Sequence, residues 1–316
     1  MSEKKILAVI GATGAQGGGL VRAILDDPHG EFRARAVTRN PDSEKGRALA
    51  AAGAEVVAGD ADDPASLDRA FAGAYGAFCV TPFWEHMSAE RELEQASNLA
   101  RATKRAGLAD VIWSTLEDSR ETLPLDDPRL PVLGGKYNVP HFDAKGEADA
   151  IFASEGAPTT FLQAAFYWDN FIYFGAGPRP TEEGDLVLAM PLGGVDLPGI
   201  AAEDIGKCAY GLFKLGDATV GRRYGIAGEI LSGPAMAAAM GKALGRKVDF
   251  VDVPFDDYRA LGFPGADDMG NMFQWQAILG DEFLASRDVA LARSLNPELQ
   301  DFATWLARNA ERIPIA

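Results

Sequence analysis

Short apolar runs alternate with segments of helical period along the first half of the chain. The apolar runs lie at residues 5–10, 33–37, 54–58, 76–80, 111–114 and 159–164. Between them, apolar side chains recur every three or four positions at residues 17–25, 43–52, 64–72 and 89–106, and another helix begins near His141. Strands that alternate with helices build parallel sheets covered by helices. This half therefore predicts an α/β fold, a Rossmann-like doubly wound parallel sheet.

The second half of the chain has a weaker pattern. Aromatic and Gly/Pro-rich stretches are followed by two helical candidates and one strand candidate, at residues 173–180, 191–198, 202–215, 233–245 and 247–253. We expect residues 1–164, with about 196–218 returning to them, to form the nucleotide-binding domain. Residues of about 165–195 and 219–316 then form a smaller, mostly helical α/β domain. We expect it to cap the carboxyl edge of the sheet, where open α/β sheets bind ligands.

Composition and charge exclude several function classes. The 316 residues are 47% hydrophobic and 24% charged, which is typical of a soluble globular protein. The formal net charge of −16 would repel a phosphate backbone, so direct nucleic-acid binding is disfavoured. No apolar window approaches the roughly 20 residues that span a bilayer, and no signal-peptide pattern is present, so a cytoplasmic protein is expected. Cys79 and Cys208 lie in apolar runs, and the three histidines lack metal-ligand spacing, which predicts buried thiols and no metal site.

The motif that carries chemistry lies between the first strand and the first helix, in KILAVIGATGAQGGGLVRAIL. Gly11 permits a sharp turn, Gly14 removes a side chain where a pyrophosphate approaches the backbone, and Gly17 lets the helix pack on the strand. The helix N-terminus offers N–H groups and a positive dipole to the phosphates, and Thr13 and Gln16 can add hydrogen bonds. A glycine triplet alone is weak evidence, but its place in a βαβ unit predicts dinucleotide binding.

The end of the second strand predicts which dinucleotide is bound. An acidic residue there would accept from both ribose hydroxyls and favour NAD(H), but the chain has Thr38, Arg39 and Asn40. Arg39 can clamp a 2′-phosphate through its planar guanidinium group. NADP(H) is therefore favoured over NAD(H), with a solvated loop charge as the alternative for Arg39.

The end of the third strand is expected to lie beside the adenine. Asp60 and Ala61 occupy this position. Asp60 and Asp62 are also candidates for capping the helix at 64–72, because a carboxylate before a helix accepts from its first free N–H groups. Of the two, Asp62 is the better candidate for the cap.

Several motifs along the chain are those of a known family: GATGAQGGGL, TRNP after the second strand, TPFWE after the fourth, HFDAKGEAD and ALGFPGADDMGNMFQ. Through them, and over almost its whole length, the sequence resembles the NmrA-like family, within the atypical short-chain dehydrogenase/reductase superfamily. The last motif lies outside the nucleotide-binding domain and is the more specific for that reason. The motifs are most similar to the HSCARG-type branch. The resemblance implies a Rossmann domain that binds NADP or NAD, often without demonstrated catalysis.

One departure concerns the catalytic pair. Short-chain dehydrogenases use Tyr-x-x-x-Lys on one helix face, where the tyrosine supplies a proton and the lysine holds the nicotinamide ribose. The matching stretch here runs from His141 to Lys145, so the lysine is present and the tyrosine is not. The family assigns ribose binding to Lys145; a surface lysine is the alternative. His141 could donate a proton, with Ser114 or Thr115 orienting a carbonyl, but a capping or loop histidine is the plainer interpretation. Tyr137 is a second possible donor.

The resemblance also implies which residues close the nicotinamide end. They follow the fourth and sixth strands: Thr81, Pro82, Phe83, Tyr167 and Asn170. Core packing is the alternative for the aromatic members of this set. In the helix after TPFWE the HSCARG-type branch has a lysine where this chain has Glu94, which removes one cofactor contact.

Two functions are compatible with these features. The resemblance favours a cofactor-sensing regulator, in which NADP(H) binding shifts a conformational equilibrium and the second domain contacts a protein partner. The alternative is an NADPH-dependent reductase of a small quinone-like, carbonyl or other aromatic substrate, with His141, Lys145 and Ser114 as catalytic residues. Aromatic side chains at 166–168, 171, 273 and 275 could line its pocket. A DNA-binding repressor is disfavoured by the acidic charge.

Overall fold

The computed structural model describes residues 3–182 and 184–315. Its main sheet contains the strands β1 (Lys5–Val9), β2 (Phe32–Thr38), β3 (Glu55–Ala58), β4 (Gly76–Cys79), β5 (Asp110–Thr115), β6 (Thr159–Gln163) and β11 (Arg223–Gly225). These strands are all parallel, in the order β11-β6-β5-β4-β1-β2-β3. The predicted Rossmann-like sheet is confirmed. Since the order of the strands reverses at β1, a crevice is expected at the carboxyl ends of the neighbouring strands β1 and β4.

Helices cover both faces of this sheet. They are α1 (Ala15–Leu25), α2 (Glu44–Ala51), α3 (Pro64–Phe71), α4 (Phe83–His86), α5 (Ala89–Arg105), α6 (Pro140–Glu155) and α8 (Ala202–Leu215). Alternate residues of β1 point to opposite faces. Leu7 and Val9 join the core under α1 and α8, whereas Ala8 and Ile10 join the core under α3, α5 and α6. Cys79 and Cys208 are buried free thiols, as predicted.

The packing of α8 against α1 depends on two glycines. A Cβ on Gly19 would overlap the carbonyl oxygen of Glu203 and lie 2.8 Å from its Cα. A Cβ on Gly206 would overlap the backbone of Gln16 and Leu20. The two helices therefore touch backbone to backbone, which fixes the position of α1 below its N-terminus.

The rest of the chain forms smaller sheets and helices. Its strands are β7 (Phe166–Tyr167), β8 (Arg179–Pro180), β9 (Leu186–Met190), β10 (Leu197–Ile200), β12 (Glu229–Leu231) and β13 (Val248–Asp252). Its helices are α7 (Asn170–Tyr173), α9 (Gly233–Leu244), α10 (Phe255–Arg259), α11 (Ala266–Leu279), α12 (Asp281–Ala285), α13 (Val289–Leu295) and α14 (Phe302–Asn309). Two three-stranded sheets, β12-β10-β7 and β13-β9-β8, pack with most of these helices around a core that includes Trp168, Trp275 and Trp305. Helix α13 instead joins the core under α8.

Sequence pattern anticipated only part of this second half. The helices at 202–215 and 233–245 and the strand at 247–253 match α8, α9 and β13. The two-residue strands β7 and β8 are too short to show a period, and the sequence pattern did not predict β9 or β10. Strand β11 lies in the segment predicted for the second domain, yet it extends the main sheet beside β6. The division of the chain into two domains remains a prediction. Among the described residues, no helix combines the length and apolar character that crossing a membrane requires.

A buried carboxylate at the start of β5 makes the stability of the fold dependent on pH. Asp110 is 1% exposed, and neither of its carboxylate oxygens has a hydrogen-bond partner in the described part of the chain. Burial raises its pKa to about 7; Asp217 adds to the shift and Lys5 opposes it. In the unfolded chain the same proton leaves near the ordinary pKa of about 3.9. Between these values the unfolded state is ionised and the folded state is not, so stability is lost as the pH rises from about 4 to 7.

We expect Asp110→Asn to remove this loss. The variant should become more stable than the parent chain as the pH rises. From pH 4.5 to pH 8, the difference between their free energies of unfolding should grow by a few kcal/mol, mostly below about pH 7. Urea denaturation at both pH values measures it. Asp257→Asn, at an exposed aspartate of α10, is the control and should leave the pH profile unchanged. Parallel profiles for Asp110→Asn and the parent would show that the carboxyl is not held protonated.

Candidate functional site

The glycine turn joins β1 to α1 at the carboxyl edge of the sheet. Gly11 has φ +65°, a conformation that favours glycine, and its carbonyl oxygen accepts from the Gly14 N–H at 2.8 Å. A Cβ on Gly17 would lie 2.5 Å from that same oxygen. Gly14 is the N-cap of α1 and has no side chain to cap it, whereas Ser43, Asp63 and Ser88 cap α2, α3 and α5. The first N–H groups of α1 are thus left for an anion. Thr13 is half-buried beside them.

Three predicted residues from different elements form one hydrogen-bonded chain next to this turn. Ser114 Oγ, at the end of β5, donates to Gln16 Oε1 at 2.8 Å. The Gln16 amide in turn donates to the Tyr167 hydroxyl of β7. Burial raises the pKa of Tyr167 to about 12, so the phenol stays protonated at neutral pH. Gln16 was predicted only to contact a cofactor at the rim of the site. In the structure its amide also connects Ser114 to Tyr167.

Lys145 is held at the same edge by buried partners. Its Nζ donates to Thr81 Oγ1 at 2.8 Å and to Glu92 Oε1 at 2.6 Å, and it lies 5.2 Å from the ring centroid of Trp113. Thr81 also hydrogen-bonds Glu92. The Lys145 side chain is 12% exposed and that of Glu92 is fully buried, so the alternative of a surface lysine is wrong. A buried charge pair of this kind fixes an ammonium group in one place.

Glu92 and His86 are site residues that the sequence reasoning missed. The side chain of His86 is 7% exposed, and its Nε2 lies 3.5 Å from Glu92 Oε2. Its Nδ1 accepts from the Ser88 N–H at 3.1 Å. A signal was present, because Glu92 falls on the apolar face of α5, in helical register with Ala89, Ala96 and Leu99. Glu94, the position of the predicted lost contact, is exposed on α5 and has no hydrogen bond to Lys145.

His141 is buried, and its partner comes from the distal half of the chain. The Nδ1 atom lies 2.6 Å from Asp268 Oδ1, and the His141 backbone N–H donates to Asp268 Oδ2 at 3.1 Å. Asp268 belongs to α11, within the distal motif. The imidazole also packs on Trp84 of α4, with ring centroids 4.8 Å apart. His141 is therefore part of the contact between α6, α4 and α11, which a solvent-facing loop histidine would not be.

Arg39 is paired with a carboxylate that sequence order did not reveal. Its two terminal nitrogens donate to the two oxygens of Glu85, at 2.8 and 2.9 Å. Glu85 belongs to α4, which follows β4. An acidic group is thus present near the end of β2 after all, but it comes from the helix that follows β4.

The residues after β3 differ in part from the prediction. Asp63, not Asp62, caps α3, and it accepts from the Ala65 N–H at 3.1 Å. Because Pro64 takes the first helical position, the cap falls on the residue directly before it. Asp62 instead binds Arg91 at 2.6 Å.

The two predicted adenine neighbours are tied into loop hydrogen bonds. The Asp60 carboxylate accepts from the Asp62 N–H at 3.0 Å. The Ala61 carbonyl accepts from Asn98 at 2.9 Å. Both residues follow β3 directly, so the loop after this strand lies at the predicted edge and is held there by hydrogen bonds.

Two further candidate donors are engaged elsewhere. Thr115 Oγ1 donates to Asp149 at 2.6 Å, on the α6 side of β5. Tyr137 packs against Ala89 and Ala144, with the Arg120 guanidinium 5.2 Å from its ring centroid. Neither side chain joins the chain of Ser114 and Gln16.

The segment after β4 closes the site on one side and lines a cleft on the other. Pro82 precedes α4. Phe83 is 4% exposed and packs against His141, with their ring centroids 5.9 Å apart. Asn170 begins α7, three residues after Tyr167. Beyond Phe83 a cleft of about 420 Å³ runs between α4 and the distal motif. Its lining includes Phe83, Trp84, Met87, Arg259, Phe263 and Asp268. In the described part of the chain, no cluster of His, Cys, Asp and Glu is arranged to hold a metal ion.

Comparison with known proteins identifies relatives along the whole chain. The model of the NmrA-like family matches residues 3–306. The NmrA-like family domain-containing oxidoreductase FrzB of Cladobotryum sp is 28% identical over 302 residues, covering 89% of this chain and 86% of that protein. The NAD(P)H azoreductase of Xenophilus azovorans is 28% identical over 288 residues, covering 89% of each.

Solved structures share the fold. The negative transcriptional regulator NmrA, in its complex with NADP, superposes with a TM-score of 0.76 at 23% identity, covering 97% of this chain and 95% of that one. Its complex with NAD gives the same TM-score at 24% identity. The likeness at this identity establishes the fold alone.

Proposed function

Since the chain belongs to the NmrA-like family, we propose that it is an NADP(H)-dependent oxidoreductase that reduces a small aromatic acceptor. The observation that carries the proposal is Lys145, whose ammonium group is fixed by Thr81 and Glu92 at the carboxyl edge of the sheet. A buried, paired lysine there is costly to maintain and is hard to explain as structure alone. The curated relatives named oxidoreductase and azoreductase agree with it.

The residues at the edge of the sheet fit a nicotinamide dinucleotide. The uncapped N-terminus of α1 and the bare backbone of Gly11, Gly14 and Gly17 would hold the pyrophosphate. Arg39 would take a 2′-phosphate and Lys145 the hydroxyls of the nicotinamide ribose. When bound, the cofactor supplies a hydride. NADP(H) is the proposed form, because Arg39 is the residue at the end of β2.

The protein side of the reaction is provided by two groups. Ser114, oriented through Gln16 and Tyr167, would position a polar atom of the substrate. His141 holds Asp268 with Nδ1, and its Nε2 has no hydrogen bond within the described residues. That nitrogen would exchange a proton with the acceptor. The neighbouring cleft offers the faces of Phe83, Trp84 and Phe263 to an aromatic ring.

Replacing His141 by Asn tests the proposal. We expect kcat for NADPH-dependent reduction of quinone or azo acceptors to fall by about tenfold to 100-fold, because a positioned acid or base contributes at least that much. The Kd for NADPH, measured by calorimetry, should stay within about twofold, since no cofactor contact is assigned to His141. Asp268→Asn is the companion variant and should lower kcat less. If the parent chain oxidises no NADPH with any acceptor of such a panel, the proposal fails.

A second candidate function is a cofactor-sensing regulator with a protein partner on the second half of the chain. The His141 contact favours it, because α6 of the cofactor site is tied to α11 through Asp268 and Trp84. A change at the site would be transmitted to the distal motif only if the two states bind the cofactor with different affinity. Limited proteolysis with and without NADPH tests this function, which predicts that cleavage around residues 261–268 changes when NADPH binds and fails if it does not.

A further inference from the structure

The Arg39–Glu85 ion pair lies at the carboxyl edge of the sheet, where the glycine turn also lies. Arg39 follows β2 and Glu85 follows β4, and these two strands flank β1 in the sheet. The pair therefore bridges the two sides of the strand from which the glycine turn emerges. Both terminal nitrogens of the guanidinium are engaged by the two carboxylate oxygens, at 2.8 and 2.9 Å. This is the bidentate geometry with which arginine recognises phosphate.

We infer that Glu85 is a specificity-determining residue, which competes with the 2′-phosphate of NADP(H) for Arg39. The inference rests on the proposed function. A 2′-phosphate carries a larger charge than a carboxylate and has three acceptor oxygens, so it can displace Glu85 from the guanidinium group. The 2′-hydroxyl of NAD(H) is neutral and leaves the ion pair in place. Glu85 thus weakens NADP(H) binding selectively and narrows the difference between the two cofactors.

The surroundings of the pair make displacement possible. The Arg39 and Glu85 side chains are 63% and 52% exposed, and an exposed ion pair is weak because water competes for both partners. The carboxylates of Asp60 and Asp62 also lie close enough to raise the pKa of Arg39. A phosphate bound to Arg39 would therefore lie near several negative charges. Asp62 is already paired with Arg91, which leaves Glu85 as the carboxylate in direct contact with Arg39.

Glu85→Gln tests the competition without activity measurements. We expect calorimetric Kd values for NADPH to fall by roughly three- to tenfold, while those for NADH stay within twofold, since only the phosphate gains an uncontested Arg39. Glu155→Gln makes the same change in net charge at the end of α6, on the opposite edge of the sheet, and is the matched control. Glu85→Gln should also be made in an Arg39→Ala background. There it should lower log Kd for NADPH by less than half of the decrease that it causes when Arg39 is present.

Each other outcome overturns the inference. An NADPH affinity equal to that of the Glu155→Gln control, or an equal gain for both nucleotides, would show that Glu85 does not compete with the phosphate. A loss of NADH affinity alone would show that Glu85 instead accepts from the ribose hydroxyls of NAD. A parent chain that binds neither nucleotide would overturn the proposed function itself, whereas binding without selectivity change overturns only the role of Glu85.

Discussion

Replacing Lys145 by Met is expected to lower kcat/KM for NADPH-dependent reduction by about 100-fold. The methionine keeps the approximate volume of the side chain and removes the ammonium group that Thr81 and Glu92 hold in place. The nicotinamide ribose then loses its proposed partner. Steady-state kinetics with NADPH varied at a saturating acceptor concentration gives the result.

Loss of the charge has a second consequence that needs its own control. Glu92 is fully buried. Without Lys145, the remaining polar neighbours of its carboxylate would be Thr81 and His86, whose Nε2 lies 3.5 Å away. Breaking a buried pair from one side costs about 3–5 kcal/mol, so Lys145→Met should also destabilise the fold. The double variant Lys145→Met with Glu92→Met removes both charges and should recover most of that stability. If activity recovers with it, Lys145 acts through folding and not on the cofactor.

Strands β1 to β6 and the glycine turn could be predicted because each depends on neighbours in sequence, whereas β11 was assigned to the wrong part of the chain. Hydrophobic period places β1 to β6 within about two residues of their observed ends, a normal margin. Gly11, Gly14 and Gly17 are spaced three positions apart, so the contacts between them form locally, within one turn. The same reasoning fails for Asp62 and Asp63, where one residue decides which carboxylate caps α3.

The partners of the site residues could not be predicted because each joins distant segments. Glu85 reaches Arg39 across β1, Glu92 reaches Lys145 from α5, and Asp268 reaches His141 from the distal motif. Only Glu92 leaves a signal in the sequence, its place on the apolar face of α5, and that signal does not identify Lys145 as its partner. Glu85 matters most, since the absence of an acidic residue at the end of β2 was the ground for favouring NADP(H). The structure places a carboxylate there, and we propose that the cofactor preference depends on how firmly Glu85 holds Arg39.

A run of three glycines in α1 provides the second large effect, this time on stability. Gly18 and Gly19 are adjacent, both lie inside the helix, and replacing either by Ala gains about 1 kcal/mol of intrinsic helix propensity. Their surroundings differ. A Cβ on Gly18 would meet the Ala12 carbonyl oxygen at 3.2 Å and the flexible end of Arg22, also at 3.2 Å. A Cβ on Gly19 would overlap the Glu203 backbone at the start of α8.

We expect Gly19→Ala to lower the free energy of unfolding by about 3 kcal/mol and Gly18→Ala to leave it unchanged or raise it slightly, as measured by urea denaturation. A backbone carbonyl cannot rotate away as a side chain can, so α1 and α8 must separate. Since the N-terminus of α1 is the proposed phosphate site, Gly19→Ala should weaken NADPH binding as well. Gly206→Ala disturbs the same contact from α8. In the double variant with Gly19→Ala, it should therefore destabilise the fold by less than it does alone. Equal stability of the Gly18 and Gly19 variants would mean that the two helices are not held backbone to backbone. The contact with α8 would then not be what fixes the N-terminus of α1 at the proposed phosphate site.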